Sequence, residues 1–167
     1  KRSWLYRPTG GAVINTTISV AGGKAWFVES RDASTLAGPV DRYPLQKLLE
    51  GGADLVCLST LTGKVSWRRP LADLRARNCL FLSSSDGVLA MSGSRNEAGT
   101  VRYDLSGFTA AGGRRLWTRT HDTGLKIGGS HGEQDHRHAV IGKVVYAEPH
   151  AYDLRTGKPV SGWKWNK

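Results

Sequence analysis

A glycine turn that runs into tryptophan recurs along this chain of 167 residues. It reads Leu61-Thr62-Gly63-Lys64-Val65-Ser66-Trp67, then Ala111-Gly112-Gly113-Arg114-Arg115-Leu116-Trp117. A third copy runs from Leu154-Arg155-Thr156-Gly157-Lys158 through Pro159-Val160-Ser161-Gly162 to Trp163. Gly precedes Trp by four residues in the first two copies and by six in the third. The tryptophans thus fall at a period of about 50, at 67, 117 and 163 or 165, with Trp4 further upstream. Repeats of roughly 40–50 residues built of short strands specify a tandem array, because one such unit cannot bury its apolar face alone.

Short strands are what the intervening sequence offers. Thr17–Val20 and Ala25–Val28 flank the turn Ala21-Gly22-Gly23. Leu80–Ser83 and Val88–Met91 flank Ser85-Asp86-Gly87, where Asp-Gly supplies the positive φ of a tight hairpin turn. Ala139–Ile141 and Val144–Tyr146 flank Gly142-Lys143. Each hairpin precedes one of the Gly-to-Trp turns, so the expectation is all-β: about three four-stranded antiparallel, blade-like units. The units run over 5–67, 68–117 and 118–163. The interval from Trp4 to Trp67 is longer than the others, which places an insertion near 31–53. Within it, Pro44 suits a first helical turn, Leu45, Leu48 and Leu49 share a face, and Gly51 suits a C-terminal cap. Leu71–Arg77 is compatible with either helix or strand.

Composition closes several other classes. Lys and Arg number 24 against 14 Asp and Glu, a net charge of +10. The excess is spread evenly: residues 1–83 hold 12 basic and 6 acidic groups, residues 84–167 hold 12 and 8. A scattered excess reads as solvated surface before it reads as a nucleic-acid face. No apolar run approaches the roughly 18 residues of a membrane-spanning helix, and no signal peptide is visible. Phosphate-loop, dinucleotide and haem-attachment motifs are absent.

The turn residues carry a resemblance. The third copy has Ala151, Asp153, Thr156 and Gly157, with Trp163 displaced by two. The first has Thr62, Gly63 and Trp67, with Cys57 at the Ala position and Ser59 at the Asp position. The second keeps Gly113 and Trp117, with Asp104 set back by an insertion through 105–112. In these residues the chain resembles the pyrroloquinoline-quinone (PQQ)-like repeats of quinoprotein-type β-propellers, whose motif is Ala-x-Asp-x-x-Thr-Gly-x-x-x-Trp. The resemblance implies that each Trp packs between neighbouring blades. It also implies that Trp4 ends an earlier motif and that the chain is an incomplete propeller, a segment of a longer protein. Such proteins are exported bacterial proteins of the periplasm or cell surface. They include PQQ-dependent alcohol and sugar dehydrogenases and non-catalytic members of an outer-membrane assembly machine. The dehydrogenases hold the cofactor, with calcium, against a disulfide between adjacent cysteines, and no adjacent pair exists here.

Cys57 and Cys79 lie in apolar strands, where buried thiols are expected and a disulfide is the alternative. The densest set of chemically capable side chains is His131, Glu133, Asp135, His136 and His138, after Gly128-Gly129-Ser130. Imidazole and carboxylate ligate transition metals, but no standard metal spacing is present. A hydrogen-bonded polar loop, a ligand or partner site and a metal site all remain open for it. The expected function is a non-enzymatic binding or scaffold segment, with self-association through open blade edges as one possible partner mode. The alternatives are part of a PQQ- and calcium-dependent oxidoreductase of the alcohol or sugar dehydrogenase type, whose cofactor residues lie mostly outside this segment, and a metal-binding loop at 131–138.

Overall fold

The computed structural model describes residues 4–37, 43–126 and 137–163, with 123–126 as backbone only. The chain is all-β and divides into two compact units, Lys1–Leu74 and Arg75–Lys167. The first holds one antiparallel sheet in the order β1 (Val13–Ala21), β2 (Lys24–Ser30), β3 (Ala53–Ser59) and β4 (Val65–Pro70). The second holds a four-stranded sheet of β5 (Cys79–Ser85), β6 (Val88–Glu97), β7 (Thr100–Thr109) and β8 (Arg115–Lys126). Beside it is a three-stranded sheet of β9 (Ala139–Ile141), β10 (Val144–Ala147) and β11 (His150–Asp153).

All three hairpins form at the turns expected, and the insertion separates β2 from β3. It contains a 3-10 turn, Ala33–Leu36, and a short helix, α1 (Leu45–Leu49). Pro44 precedes the helix as expected. The left-handed residue after it is Gly52 (φ 82°) rather than Gly51. Leu71–Arg77 forms neither helix nor strand among the described residues.

The recurring turn has one backbone design. The Gly63 N–H donates to Ser59 O (2.8 Å) and the Ser59 N–H to Lys64 O (2.9 Å). Gly113 and Thr109 repeat this with Arg114 (2.8 and 2.9 Å), and Gly157 and Asp153 with Lys158 (both 2.8 Å). The three glycines sit at φ 69°, 68° and 63°, a region costly for any residue with a Cβ. A further bond ties each turn to the preceding hairpin turn: Thr60 N–H to Gly23 O, Ala110 N–H to Gly87 O, and Leu154 N–H to Lys143 O (3.0, 2.8 and 2.8 Å). The residue equivalent to Asp153 in the second repeat is therefore Thr109. Asp104 lies in mid-β7, and 105–109 complete that strand rather than forming an insertion.

Two further features follow from the register. Cys57 pairs with Trp67 and Gly107 with Trp117, and the ladder slips at the next residue in both sheets. Such bulges raise local twist and re-aim side chains. In the third sheet, Pro159 bridges Tyr152 at the point where β4 and β8 begin in the other sheets. Proline has no N–H to extend the ladder; Val160 N–H still reaches Ala151 O (2.9 Å).

The core of the first unit sets Phe27, Val56 and Leu58 against Trp4, Tyr6 and Val13. In the second unit, one face of β6–β8 (Val88, Ala90, Leu105, Trp117) packs on Val145, Tyr152 and Leu154 of the third sheet and its turn.

Candidate functional site

Two tryptophans are seated on glycine. In the first unit, the Trp4 indole lies over Gly63, and its Nε1–H donates to Thr60 O at 2.6 Å. A Cβ on Gly63 would stand 2.7 Å from Trp4 Cδ2, so no side chain fits. In the second unit, Trp117 lies over Gly157, and its Nε1–H donates to Leu154 O at 2.9 Å. A Cβ on Gly157 would meet Trp117 Cδ2 at 2.5 Å. Both acceptors stand three residues before their glycine. Trp117 also crosses Gly107 of its own sheet, so the small residue of the motif makes room for the indole.

The other repeat positions are structural in their own ways. Thr62 Oγ1 accepts from Lys64 N–H (3.3 Å), as Thr156 Oγ1 does from Lys158 N–H (3.3 Å). Asp153 Oδ1 accepts from Thr156 Oγ1, Thr156 N–H and Arg155 N–H. The Thr156 side-chain and backbone bonds hold this carboxyl below its ordinary range. Ala151 is buried in β11. Trp67 Nε1 is buried and has no hydrogen-bond acceptor among the described residues. Trp163 departs from the pattern: Ser161 stands four residues after Gly157, and the chain turns at Gly162 (φ 78°). Trp163 packs edge-on against Tyr146, with ring centroids 4.6 Å apart.

Of the histidine-rich set, His131, Glu133, Asp135 and His136 lie outside the described residues. His138 is buried, with Nδ1 2.6 Å from the hydroxyl of buried Ser92. Nε2 closes no hydrogen bond of ordinary geometry, although the Ala90 carbonyl is near enough to favour the charged ring slightly. Burial dominates, Arg137 adds repulsion, and the imidazole is pushed down to about 4. The ring is therefore neutral at pH 7. Ser92 and His138 could exchange a proton, but both are enclosed. Among the described residues, no three His, Cys, Asp or Glu side chains converge to hold a metal.

A second histidine cluster was not visible in the sequence. His121 lies between Tyr103 and Tyr152, and His150 meets its ring edge-on at 4.7 Å. His121 Nε2 is 3.2 Å from Glu148 O, and Nδ1 is 3.1 Å from Tyr152 Oη. A carbonyl only accepts, so Nε2 carries the proton and Nδ1 accepts from the tyrosine. Burial lowers the pKa of this ring, and His150 adds to that. Both nitrogens are thus committed within the fold.

In the first unit, Glu29 is wholly buried yet satisfied. It accepts from Tyr6 Oη (2.5 Å), Gly10 N–H (3.0 Å), Thr9 N–H (3.2 Å) and Arg68 (3.1 Å). Arg68 also bridges to Asp54, which pairs with Arg31. Burial alone would raise the Glu29 pKa; the bonds from Tyr6, Arg68 and Gly10 outweigh it and the net shift is downward. Burial, together with the Glu29 carboxylate, pushes Tyr6 up to about 12. A charged residue in the apolar run Trp26-Phe27-Val28 was the one sequence signal for this network. Cys57 and Cys79 are buried thiols that form no disulfide, and Cys79 Sγ lies 3.2 Å from Ser94 Oγ; burial raises the Cys57 pKa.

Comparison with known proteins finds no family model that matches the chain and no matching curated protein.

Proposed function

We propose that this chain is a non-enzymatic binding and scaffold segment of an exported, PQQ-like β-propeller protein. The observation that carries this reading is the repeated seat of an indole on a turn glycine. Trp4 on Gly63 and Trp117 on Gly157 use the same acceptor position and the same backbone turn. A device used twice in one chain supports tandem structural repeats, as the motif resemblance implies. The polar groups suited to chemistry support a structural role as well: His121 has both nitrogens engaged, and Ser92 and His138 are enclosed.

The test is an assay of the intact parent polypeptide with PQQ and calcium for dye-linked oxidation of alcohols and sugars. The reading expects turnover no greater than a cofactor-only control. Turnover above that control, saturable in PQQ, would replace it with the oxidoreductase alternative.

A further inference from the structure

The two ends of each sheet differ in charge chemistry. At the end carrying the β2–β3 and β6–β7 connections, the arginines of the strands and of the β2–β3 connection are matched by carboxylates, although exposed Arg75 and Arg77, just before β5, have no ion pair among the described residues. Arg31 and Arg68 pair with Asp54 and Glu29, Arg95 with Asp104 and Glu97, and Arg102 with Asp122. The opposite, hairpin-turn end is different. In the second unit it carries Arg114, Lys143, Arg155 and Lys158 against only Asp86 and Asp153. Asp86 takes Arg155, and Asp153 spends Oδ1 on its own turn. Arg114 and Lys158 are exposed, with no ion pair among the described residues, whereas exposed Lys143 is electrostatically coupled to Asp153 without a close ion pair. In the first unit the same end carries Lys24 and Lys64 and no carboxylate.

These cations are phased with the fold. Lys64, Arg114 and Lys158 each follow the turn glycine directly. In each unit the turns are laced together by backbone bonds, and in the second unit also by Ser85 to Gly142 O and Arg155 to Asp86. The side chains therefore project from a fixed base. Among them stand exposed aliphatics at the same turns: Leu61 is 85% exposed, Ile141 67% and Val20 64%. Isolated exposed apolar residues are ordinary. Here they coincide with the unpaired cations in both units.

We propose that the hairpin-turn end of each unit is a peripheral docking face for an anionic lipid bilayer. Lysine and arginine without internal partners supply attraction to acidic headgroups, about 1 kcal/mol each near the surface. Aliphatic tips gain by entering the acyl boundary, which a polyanion lacking an apolar layer cannot offer. A nucleic acid would engage the cations through its phosphates, and a single strand would add stacking on aromatic side chains; neither gives the aliphatic Val20, Leu61 and Ile141 a role. The inference does not depend on the propeller reading, because it rests on turn chemistry within each unit.

Sedimentation of the purified chain with vesicles tests it. Binding is expected to vesicles of phosphatidylcholine with phosphatidylglycerol, and not to phosphatidylcholine alone. Arg114→Gln, Lys158→Gln and Lys64→Gln should each weaken partition about fivefold, while Lys47→Gln in α1 should leave it unchanged. Leu61→Ser and Ile141→Ser should remove the part of binding that survives raised salt. All six positions are exposed, so an unchanged urea midpoint will verify folding. The proposal is overturned by absence of binding to the anionic vesicles at low salt. It is equally overturned by duplex DNA binding as tight as vesicle binding with no effect of the serine substitutions, which would make the face a polyelectrolyte site.

Discussion

Glycine in this chain acts chiefly as a seat. Gly157→Ala forces a Cβ both into a left-handed backbone and into the Trp117 ring. Gly107→Ala meets Trp117 as well. Overpacking of this kind costs about 1–3 kcal/mol or more, so both variants should lower the urea midpoint. Gly157→Ala should fall further, and Trp117 fluorescence should shift to the red in both. Gly142, also at positive φ but with open space around it, tests the argument from the other side. Gly142→Asn should change stability by less than about 1 kcal/mol, since asparagine tolerates this backbone region.

His138 gives a prediction in pH. An unfolded histidine titrates near 6.5, whereas the folded ring titrates at about 4. Between those values the unfolded chain binds the extra proton. The stability from a neutral His138 is therefore complete above pH about 6.5 and is lost as pH falls towards 4. The loss is on the order of 3 kcal/mol. Urea titrations at pH 7, 5 and 4 should show this slope, reduced by about one proton in His138→Gln. Equal slopes in the two proteins would mean that other groups carry the acid sensitivity.

At the scale of elements, the first sheet is held to the Trp4–Gly10 segment by a buried charge. Removing Arg68 leaves buried Glu29 without its cation, while Asp54 keeps Arg31, and breaking a buried pair costs about 3–5 kcal/mol. Arg68→Ala should therefore destabilise this unit strongly, whereas Glu29→Gln with Arg68→Met should cost much less. Comparative urea unfolding of the three proteins decides it. This network also marks where sequence reasoning stops. Hairpins were legible because Gly22-Gly23, Asp86-Gly87 and Gly142-Lys143 encode their turns within a few residues. The insertion was legible from the long Trp4-to-Trp67 interval. Glu29 and Arg68 are 39 residues apart, and Ser92 and His138 are 46 apart. No local spacing signals such pairs. Thr109 escaped notice for another reason: the turn uses its backbone, so threonine replaces aspartate without changing the turn's main-chain hydrogen bonds.

For the molecule as a whole, the second and third sheets share one core, and their stability should be shared too. Gly157→Val removes the seat of Trp117, which spans both. Hydrogen exchange followed by mass spectrometry should show lost protection in β5–β8 as well as in β9–β11. Loss confined to β9–β11 would mean that the two sheets open separately. The period of tryptophans revealed this array, and the interval of six in the third copy already marked its departure, but not the different packing of Trp163. Ser161 holds the expected tryptophan position, and Pro159 limits the ladder there.

The three lacing bonds between turns are made by main-chain atoms alone. A turn fixed in that way places almost no demand on the side chain that follows its glycine. Residues 64, 114 and 158 are thus free to drift, or to be selected, for what they meet outside. The same scaffold could be given an acidic, neutral or glycan-seeking tip by exchange of a single codon in each repeat. Folding would register little of that change, and the partner nearly all of it.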